Sequence, residues 1–550
     1  MEAKKIEELT DAKRGSWAVS AVLAAIVMTV LILGGRNVGA PLVWVQTAAA
    51  SFRQGSNDLP FLHSRTGHLD RLYGGLLVDG LDEESCHSRY QSAMYRRNPG
   101  RRPSPYLISK LRRHEALQRR CGPGTAAYSA ALEQLKSGKS AASPSAECKY
   151  LVSISYQGLG NRILAAASAF LYAVLTDRVL LIDPSNDMDA LFCEPFPNTT
   201  WLLPPGFPLE GYTNFSVDTA ESYGNMVKNK VLRADAGDDD VPAAAARLPA
   251  FAYVHLNHDA TVEDNTFFCG DAQGVLRRVQ WLVMRTDSYI VPGLFLVPAF
   301  QDALDLMFPF PERDAVFHHL GRYLFHPNNH VWGLVTRYYD TYLAAARQRV
   351  GIQVRVFGGV PDSPELLEQI TSCTQREGLL PGVLAAGEPV SPASRARSKA
   401  VLVTSLKSWY YEKMKGMYWE HATATGEVVS VHQPSHEEHQ QSGDRSHDHR
   451  AWAEIYLLSL TDVLVTTGRS TFGYVAQGLA GVRPWVMYKS DNSSAVPEPP
   501  CGRDVSMEPC FHMPPGHDCR MQWADPSKDV PYIQHCHDAI WGLKLVGRNV

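Results

Sequence analysis

Strand and helix patterns alternate along most of this chain, and the alternation restricts the folds that it can adopt. An apolar run at Tyr150–Ser155 leads through a glycine-containing turn to an apolar helix ending near Leu175 and a strand at Val179–Asp183. The second half repeats this order, with helices at 331–347, 452–460 and 471–479 and strands at 351–357, 401–405 and 463–467. Such alternation is typical of parallel sheets covered by helices. We predict an α/β fold of two Rossmann-like lobes, with a ligand cleft between them at the carboxyl ends of the strands.

A cation interrupts one of these predicted strands. Arg355 lies within the largely apolar run Gly351–Phe357. A guanidinium buried without an anionic partner is costly, and its planar fork of N–H groups fits a phosphate. The residue therefore indicates a diphosphate-binding role, and a structural ion pair with an Asp or Glu is the alternative.

Two strand-to-helix turns are further candidates. Ser470–Tyr474 opens a predicted helix, where free amides and hydroxyls bind phosphate well, although Ser and Thr also cap helices without any ligand. We predict that this turn and Arg355 contact one diphosphate. Gly158–Arg162 lacks the spacing of a dinucleotide fingerprint, and its alternative is a tight turn with glycine at positive φ.

Acidic and histidine clusters offer candidate metal ligands. Asp187-Met188-Asp189 has the Asp-x-Asp pattern that holds a divalent ion in nucleotide-sugar chemistry, and Asp238–Asp240 is a second cluster; surface loops are the alternative for both. The stretch 432–449 misses the zinc-protease spacing, because His436 and His439 are three residues apart instead of four. Asp287, between two apolar runs, is a candidate general base, and a turn or cap is its alternative.

An apolar run near the N-terminus predicts a membrane anchor. Residues 17–33 are flanked by Lys13 and Arg14 before them and by Arg36 after them. At about 1.5 Å per residue the run covers roughly 26 Å, which suits the thinner membranes of the early secretory pathway. The larger positive charge on the preceding side places residues 1–16 in the cytosol and the body in the lumen, which is type II topology. A cleaved signal peptide is the alternative.

All ten cysteines follow this run, in what would be an oxidising compartment. We predict that they form disulfides, although their spacing does not define the pairs. The acceptor sequences at Asn198, Asn214 and Asn492 agree with a glycosylated luminal body. A formal charge of -4, without a long Lys/Arg block in the body, argues against nucleic acid as a partner.

These features divide the 550 residues, of which 45% are hydrophobic, into six segments. They are a cytosolic tail (1–16), a signal anchor (17–35), a stem (36–69), an N-terminal acceptor-side lobe (70–345), a C-terminal donor-binding lobe (346–500) and a disulfide-rich end (501–550).

Seven ordered strings resemble the plant galactoside 2-α-L-fucosyltransferases, the xyloglucan fucosyltransferase family. The strings are Asp70–Leu76 (DRLYGGL), Gly158–Arg162 (GLGNR), Phe317–Leu324 (FHHLGRYL), Gly351–Phe357 (GIQVRVF), Gln433–Glu437 (QPSHE), Ser470–Tyr474 (STFGY) and Ser506–His512 (SMEPCFH). The resemblance covers residues 70–546. It implies an inverting glycosyltransferase of variant GT-B fold, without a metal ion or other cofactor. Its reaction would move fucose from GDP-fucose to O2 of galactose on a cell-wall polysaccharide such as xyloglucan. The N-terminal span predicts a location in the endoplasmic reticulum or Golgi, and the Golgi membrane is the location expected here.

The resemblance also implies roles for particular residues. Arg355 would hold the donor phosphates and contribute to catalysis, and Asp287 would be the general base. The loop around GDP would consist of Ser470, Thr471, Phe472, Gly473 and Tyr474. The acceptor cleft would contain Gly160, Asn161, Arg162 and His436.

Two positions depart from the expected pattern, Arg469 where we expect Trp and His439 where we expect Tyr. The sequence therefore does not determine the identity of the acceptor, and arabinogalactan or another glycan is an alternative to xyloglucan. The residues are also compatible with a different sugar-nucleotide donor, with a metal-dependent transferase and with a non-catalytic, membrane-tethered glycan-binding protein. They do not decide whether two copies form a homodimer.

Overall fold

The computed structural model describes residues 70–547, apart from 97–99, 139–147, 186, 233–247, 311, 358, 386, 390–391, 393, 442, 489–494 and 521. The described residues belong to one compact unit, His68–Val550. The predicted tail, anchor and stem lie outside them, as do Asp238–Asp240 and Asn492.

Helices and strands alternate through both halves of this unit. The helices are α1 His87–Tyr95, α2 Pro105–Cys121, α3 Ala126–Lys136, α4 Leu159–Thr176, α5 Met188–Leu191, α6 Tyr223–Lys228, α7 Val262–Asn265, α8 Gly270–Leu276, α9 Val291–Leu294, α10 Gln301–Met307, α11 Val316–Leu324, α12 Asn329–Tyr338, α13 Pro364–Arg376, α14 Trp409–Glu420, α15 Arg445–Leu458, α16 Thr471–Ala480 and α17 Pro526–Asp529. The strands are β1 Tyr150–Ile154, β2 Val179–Ile182, β3 Phe251–His255, β4 Trp281–Arg285, β5 Gln348–Gln353, β6 Ser394–Thr404, β7 Glu427–His432, β8 Val463–Thr467, β9 Trp485–Met487, β10 Gly502–Arg503, β11 Ile533–Cys536 and β12 Ala539–Leu545.

The first half is built on a parallel four-stranded sheet in the order β2-β1-β4-β3. Its central strands are apolar and buried, because helices cover both faces of a parallel sheet. Helix α4 is apolar and long enough to cross a membrane, yet 94% of its apolar window is buried inside the protein. It is therefore a core helix of this half.

The second half is built on a six-stranded sheet in the order β10-β9-β8-β5-β6-β7. Its strands are parallel except for β10, which pairs antiparallel with β9 at the edge. The prediction of an α/β fold with parallel sheets is thus confirmed. One apolar cluster contains side chains of both halves, including Phe170, Phe317, Trp452 and Leu479, so the halves share a core.

Some element ends differ from the sequence prediction. The strand expected at 351–357 ends at Gln353, because the Val354 amide donates to the Thr404 carbonyl but the Arg355 amide turns to the Thr467 hydroxyl. The helix expected at 331–347 gives way after Tyr338 to a π turn, Tyr339–Leu343.

Five disulfides link distant segments, which confirms the prediction that the cysteines are oxidised. The pairs are Cys86–Cys193, Cys121–Cys148, Cys269–Cys519, Cys373–Cys501 and Cys510–Cys536. The last one ties the segment before residue 512 to the antiparallel hairpin β11–β12.

Candidate active site

A cavity of about 660 Å³ opens between the two sheets, within the range of roughly 300–1,000 Å³ that is usual for small-molecule sites. Its wall consists largely of residues at or just beyond the carboxyl ends of β1, β4, β5 and β6, namely Tyr156–Arg162, Asp287 and Ser288, Gln353–Phe357, and Thr404–Leu406. Other segments complete the wall, and their lining residues include Ser435, Glu437, His447, Glu454, Thr471, Phe472, His512 and Met513. The cavity therefore lies where the strand alternation predicted a cleft.

Arg355 lines this cavity two residues beyond the end of β5. Burial lowers the pKa of its guanidinium below the ordinary value, and its charge lies over the Phe357 ring at 4.7 Å. Among the described residues no Asp or Glu pairs with it. The structural ion pair considered as an alternative is therefore not found there, and a partly buried cation faces the cavity.

The first turn of α16 contributes only part of the predicted phosphate loop. Thr471 and Phe472 line the cavity. Ser470 is fully buried and its hydroxyl caps the Gly473 amide at 3.5 Å, as expected for an ordinary helix cap. Ser470, Gly473 and Tyr474 are not in the wall, because the chain at a helix start turns these residues toward the core. The role of these three residues in binding GDP therefore stays a prediction.

The first turn of α4 meets the first turn of α16. Helix α4 already begins at Leu159, so the tight-turn alternative with glycine at positive φ is wrong. A Cβ on Gly160 would lie 2.7 Å from the Thr471 carbonyl carbon and 2.8 Å from the Phe472 amide nitrogen. Glycine is required here because the two helix N-termini approach closely.

The neighbouring residues of α4 connect this contact to the rest of the site. The Asn161 side chain accepts a hydrogen bond from the Thr471 hydroxyl at 2.9 Å and donates to the Asp287 carbonyl at 2.7 Å. Arg162 is buried and its Nη2 lies 2.6 Å from Oδ2 of Asp448 on α15. The charge of Arg162 is therefore engaged by a carboxylate of the other half.

The Asp287 carboxylate lies at the cavity wall and holds three loops together. Its Oδ1 accepts hydrogen bonds from the Ser155 hydroxyl at 2.6 Å and from the amides of Tyr156 and Gln157 at 3.0 and 3.4 Å. Its Oδ2 accepts one from the Asn257 side chain at 3.0 Å. A carboxylate oxygen accepts about two hydrogen bonds, so Oδ2 retains the capacity to accept another proton.

The histidine-rich stretch 432–449 contributes residues to the cavity wall, but His436, the predicted one, is not among them. His436 is exposed, packs edge-on against Tyr411 and is not in the wall of this cavity, so its place at the acceptor cleft stays a prediction. The sequence alternates around it, and Ser435 and Glu437 line the cavity instead. Glu437 lies 3.1 Å from Nδ1 of His447, which is also in the wall.

Glu454 was missed because its helix looks apolar all round in the sequence. The side chain lines the cavity yet is almost fully buried, and it accepts a hydrogen bond from Ser435. Burial raises the pKa of Glu454 to about 8. The available signal was a carboxylate within an otherwise apolar helix that follows the QPSHE string in the sequence.

The acidic pair near residue 188 is engaged by a cation. Arg445 Nε lies 3.0 Å from Asp187 Oδ1, and its Nη2 lies 3.7 Å from Asp189 Oδ1. Neither carboxylate lines the cavity. Among the described residues Cys510, Cys536 and Asp538 are close enough to share an ion, but the two sulfurs are joined in a disulfide and cannot act as thiolate ligands.

The two departures from the expected pattern lie away from the cavity wall. Arg469 is exposed, with φ of 60°. Its backbone amide donates to Oδ2 of Asp538 at 2.7 Å, and its Nε donates to the Asp538 carbonyl at 2.7 Å. His439 is exposed as well. Neither residue displaces Arg355.

Two largely parallel sheets with a nucleotide-sized cavity between them, and with a cation and a helix N-terminus in its wall, form the architecture of a two-lobed glycosyltransferase. Residues 48–520 match the sequence pattern of the family described as xyloglucan fucosyltransferase, and the chain belongs to this family.

Named relatives and a solved structure agree with this membership. The chain is 51% identical over 480 residues to a galactoside 2-alpha-L-fucosyltransferase of Pisum sativum, covering 87% of this chain and 82% of the relative. It is 52% identical to a protein of the same name from Arabidopsis thaliana, covering 87% and 83%. The solved structure of a mutant of Arabidopsis thaliana FUT1 in complex with GDP has 50% identity and a TM-score of 0.78, covering 87% of this chain and 100% of that one.

Proposed function

We propose that this protein transfers L-fucose from GDP-fucose to O2 of a galactose residue on a cell-wall polysaccharide such as xyloglucan, with inversion at the fucose anomeric carbon. The observation that carries the proposal is Arg355, a partly buried cation in the cavity wall whose pKa is lowered by burial and by no neighbouring charge. A diphosphate is the anion that best fits a planar guanidinium next to a helix N-terminus. The relatives named above and the related protein bound to GDP support this donor.

The proposed reaction is a single displacement. The galactose hydroxyl attacks the anomeric carbon of the fucose while the bond to the diphosphate breaks. Arg355 and the amides at the start of α16, at Thr471 and Phe472, stabilise the negative charge that grows on the leaving diphosphate. Fixed donors of this kind speed the reaction because the diphosphate is more negative in the transition state than in the bound substrate, so they bind the transition state more strongly.

Asp287 is proposed as the group that receives the proton of the attacking hydroxyl. Its Oδ2 is the atom for this role, since Oδ1 already accepts three hydrogen bonds and Oδ2 accepts one. The donors around Oδ1 fix the orientation of the carboxylate, which a general base requires. Gly160 and Asn161 would form the adjoining wall of the acceptor site.

We propose further that no divalent ion takes part. The ion pairs of Arg445 with Asp187 and Asp189 support this, since they occupy the acidic cluster that resembles a metal site. The expected result is that transfer continues at full rate in excess chelator.

The proposed location is the Golgi membrane, with a single N-terminal span and a luminal body. Five disulfides and the exposed acceptor asparagines Asn198 and Asn214 support a luminal body. Protease treatment of intact Golgi vesicles should remove an N-terminal tag and spare a C-terminal tag. The opposite pattern would refute type II topology.

The function is tested by incubating the full-length chain with labelled GDP-fucose, chelator and a panel of xyloglucan and arabinogalactan acceptors. Label is expected on galactose O2 of one acceptor. Binding of glycan without transfer would favour the non-catalytic alternative, and transfer from another sugar nucleotide in preference would refute the proposed donor.

Arg355→Ala in the same assay should lower kcat/KM by about 100-fold or more, the usual effect of removing a transition-state donor. Arg113→Ala is the control, because Arg113 is an exposed residue whose ion pair with Asp177 lies outside the cavity. Turnover within about threefold of the wild type, roughly 0.7 kcal/mol, would refute the role of Arg355.

A further inference from the structure

His512 lines the cavity, and a network of hydrogen bonds that the proposed reaction does not use lies behind it. Its Nε2 lies 3.0 Å from the Tyr474 hydroxyl oxygen, which in turn lies 2.6 Å from Oδ2 of Asp538. The Cys510–Cys536 disulfide joins the two segments that carry His512 and Asp538. The imidazole is therefore held at a fixed position in the wall.

The ionisation of Asp538, at the end of this network, determines which atoms of Tyr474 and His512 carry hydrogens. Burial opposes ionisation of Asp538, but the charge of Lys544 and the hydrogen bonds from the Arg469 amide and the Tyr474 hydroxyl outweigh burial and keep the pKa of Asp538 below its ordinary value. An ionised carboxylate only accepts hydrogen bonds, so Tyr474 donates its single proton to Asp538.

The Tyr474 oxygen is then left as an acceptor for His512, whose Nε2 must carry the hydrogen. Nδ1 is the nitrogen that remains. Among the described residues no hydrogen bond engages Nδ1, since the ring's one hydrogen bond is the one that Nε2 donates to the Tyr474 oxygen.

Charged groups face His512 from four elements. Burial lowers the pKa of His512, Asp538 in the turn of the β11–β12 hairpin raises it, and the cations Arg469 before α16, Lys544 on β12 and Arg355 after β5 lower it further. The net pKa lies below the ordinary value. At neutral pH the imidazole of the free protein is therefore neutral and Nδ1 holds a lone pair, on a side chain that shares the cavity wall with Arg355.

We propose that His512 is a further donor-binding residue, which takes up a proton from solvent when GDP-fucose binds and donates a hydrogen bond from Nδ1 to the diphosphate while Nε2 stays on Tyr474. The inference rests on the proposed function, because it assumes a diphosphate beside Arg355. Two negative charges there outweigh the nearby cations and favour the imidazolium. The same N–H then stabilises the charge on the leaving diphosphate together with Arg355.

Proton uptake on binding makes the affinity for the donor depend on pH. A group whose pKa is higher in the complex than in the free protein tightens binding as the pH falls through the pKa of the complex, and the effect levels off below the pKa of the free protein. Binding of GDP-fucose should therefore strengthen as the pH is lowered from 8 toward 6, by about tenfold per pH unit at most.

The test is calorimetric titration of the full-length chain with GDP-fucose, without acceptor, across this pH range and in two buffers of different ionisation enthalpy. GDP-fucose is the suitable probe because its diphosphate is esterified at both ends and does not titrate near neutral pH, so proton uptake belongs to the protein. Up to one proton is expected per bound donor. His512→Gln should lose both the uptake and the pH dependence. His421→Gln, a change at an exposed histidine outside the cavity wall, should keep both.

Tyr474→Phe keeps the aromatic ring and removes the hydroxyl that links His512 to Asp538. It should bind GDP-fucose with the pH dependence displaced to lower pH, and it tests the network even where His512→Gln does not fold. Affinity that is independent of pH in the wild type, or a pH dependence that survives in His512→Gln, overturns the inference. An unchanged profile in Tyr474→Phe overturns the network. Absence of GDP-fucose binding at every pH instead overturns the proposed donor, so the two failures are distinguishable.

Discussion

At the scale of single residues, the site depends on which polar groups have partners and which do not. The Arg355 guanidinium has none among the described carboxylates, whereas Asp287, Arg162 and Arg445 are all engaged. A buried charge without a partner in a cavity indicates a ligand site, because pairing the charge with a carboxylate of the protein would make the fold more stable. This contrast separates the donor-binding residue from its structural neighbours.

Asp287→Asn tests the proposed base without removing its scaffold. The amide oxygen of Asn can still accept from Ser155 and the Tyr156 amide, so the loops should stay in place. We expect kcat to fall about 10²- to 10⁴-fold with little change in the KM for GDP-fucose. Steady-state kinetics, with thermal unfolding as the control for folding, checks this. A kcat close to that of the wild type would assign Asp287 to structure alone.

Glu454 predicts a pH dependence of stability. Burial raises its pKa to about 8 in the folded protein from 4.5 in the unfolded one. A raised pKa means that the folded state holds the proton more tightly, so the contribution to stability is complete below about pH 4.5 and is lost as the pH rises through 8. The loss amounts to a few kcal/mol, at about 1.4 kcal/mol per pH unit.

Glu454→Gln should remove this dependence because the amide does not ionise. Thermal unfolding of both proteins between pH 5 and 8 gives the measurement, and the melting temperature of the wild type should fall relative to that of the variant as the pH rises. Parallel curves would mean that Glu454 is ionised in the folded protein.

At the scale of elements, the meeting of two helix N-termini organises the site. Helices α4 and α16 come from different halves, and their first turns touch at Gly160 and Thr471. Since backbone amides at a helix N-terminus are free to donate, two such ends at one cavity concentrate donors there. The wall of the site is thus set by how the helices start.

Gly160→Ala should disturb this contact, because its Cβ would lie within 2.8 Å of backbone atoms that cannot move alone. We expect a loss of about 1–3 kcal/mol in the free energy of unfolding and a strong loss of transfer. Gly274→Ala in α8 is the matched control, since a Cβ there meets nothing within 4 Å and alanine favours a helix. Chemical denaturation and activity of both variants provide the comparison. Equal effects at the two sites would show that the close approach is not required.

At the scale of the whole molecule, the two halves are joined by buried polar contacts as well as by the shared core. Arg162 on α4 pairs with Asp448 on α15, and Arg322 on α11 donates to the Leu479 carbonyl of α16 at 2.8 Å. Buried groups of this kind fix the relative position of elements, because each loses its partner if the elements slide. The cavity therefore keeps its shape through contacts outside its wall.

Arg162→Met should cost about 3–5 kcal/mol in the free energy of unfolding, because it leaves the Asp448 carboxylate buried without its partner. The double variant Arg162→Met/Asp448→Leu should recover much of that loss. Arg113→Ala breaks an exposed ion pair with Asp177 and should change stability by about 1 kcal/mol or less. The free energy of unfolding of all three variants is measured by denaturant titration. A double variant as unstable as Arg162→Met alone would contradict the proposed coupling between Arg162 and Asp448.

The period of the apolar residues predicted the α/β class, the strands β1, β2, β5, β6 and β8 and the helices α4, α12, α15 and α16, because those patterns reflect local backbone geometry and burial. The sequence alone also singled out Arg355 and Asp287, since a charge between apolar runs is visible without coordinates. It did not determine which side chains line the cavity, because that depends on how each turn is oriented. Ser470 and Tyr474 face the core, and His436 points away while its neighbour Glu437 lines the cavity.

Only the tertiary structure decided which distant residues share the cavity. The pairing of Asp187 with Arg445, the burial of Glu454 and the chain of contacts from His512 to Asp538 join segments far apart in sequence. A local pattern carries no information on such partners, because the pKa and hydrogen bonds of a side chain depend on what packs against it in space. The sequence thus determined the fold class, several of the elements and the candidate charges, and the packing of the two halves decided which of those charges are free to bind.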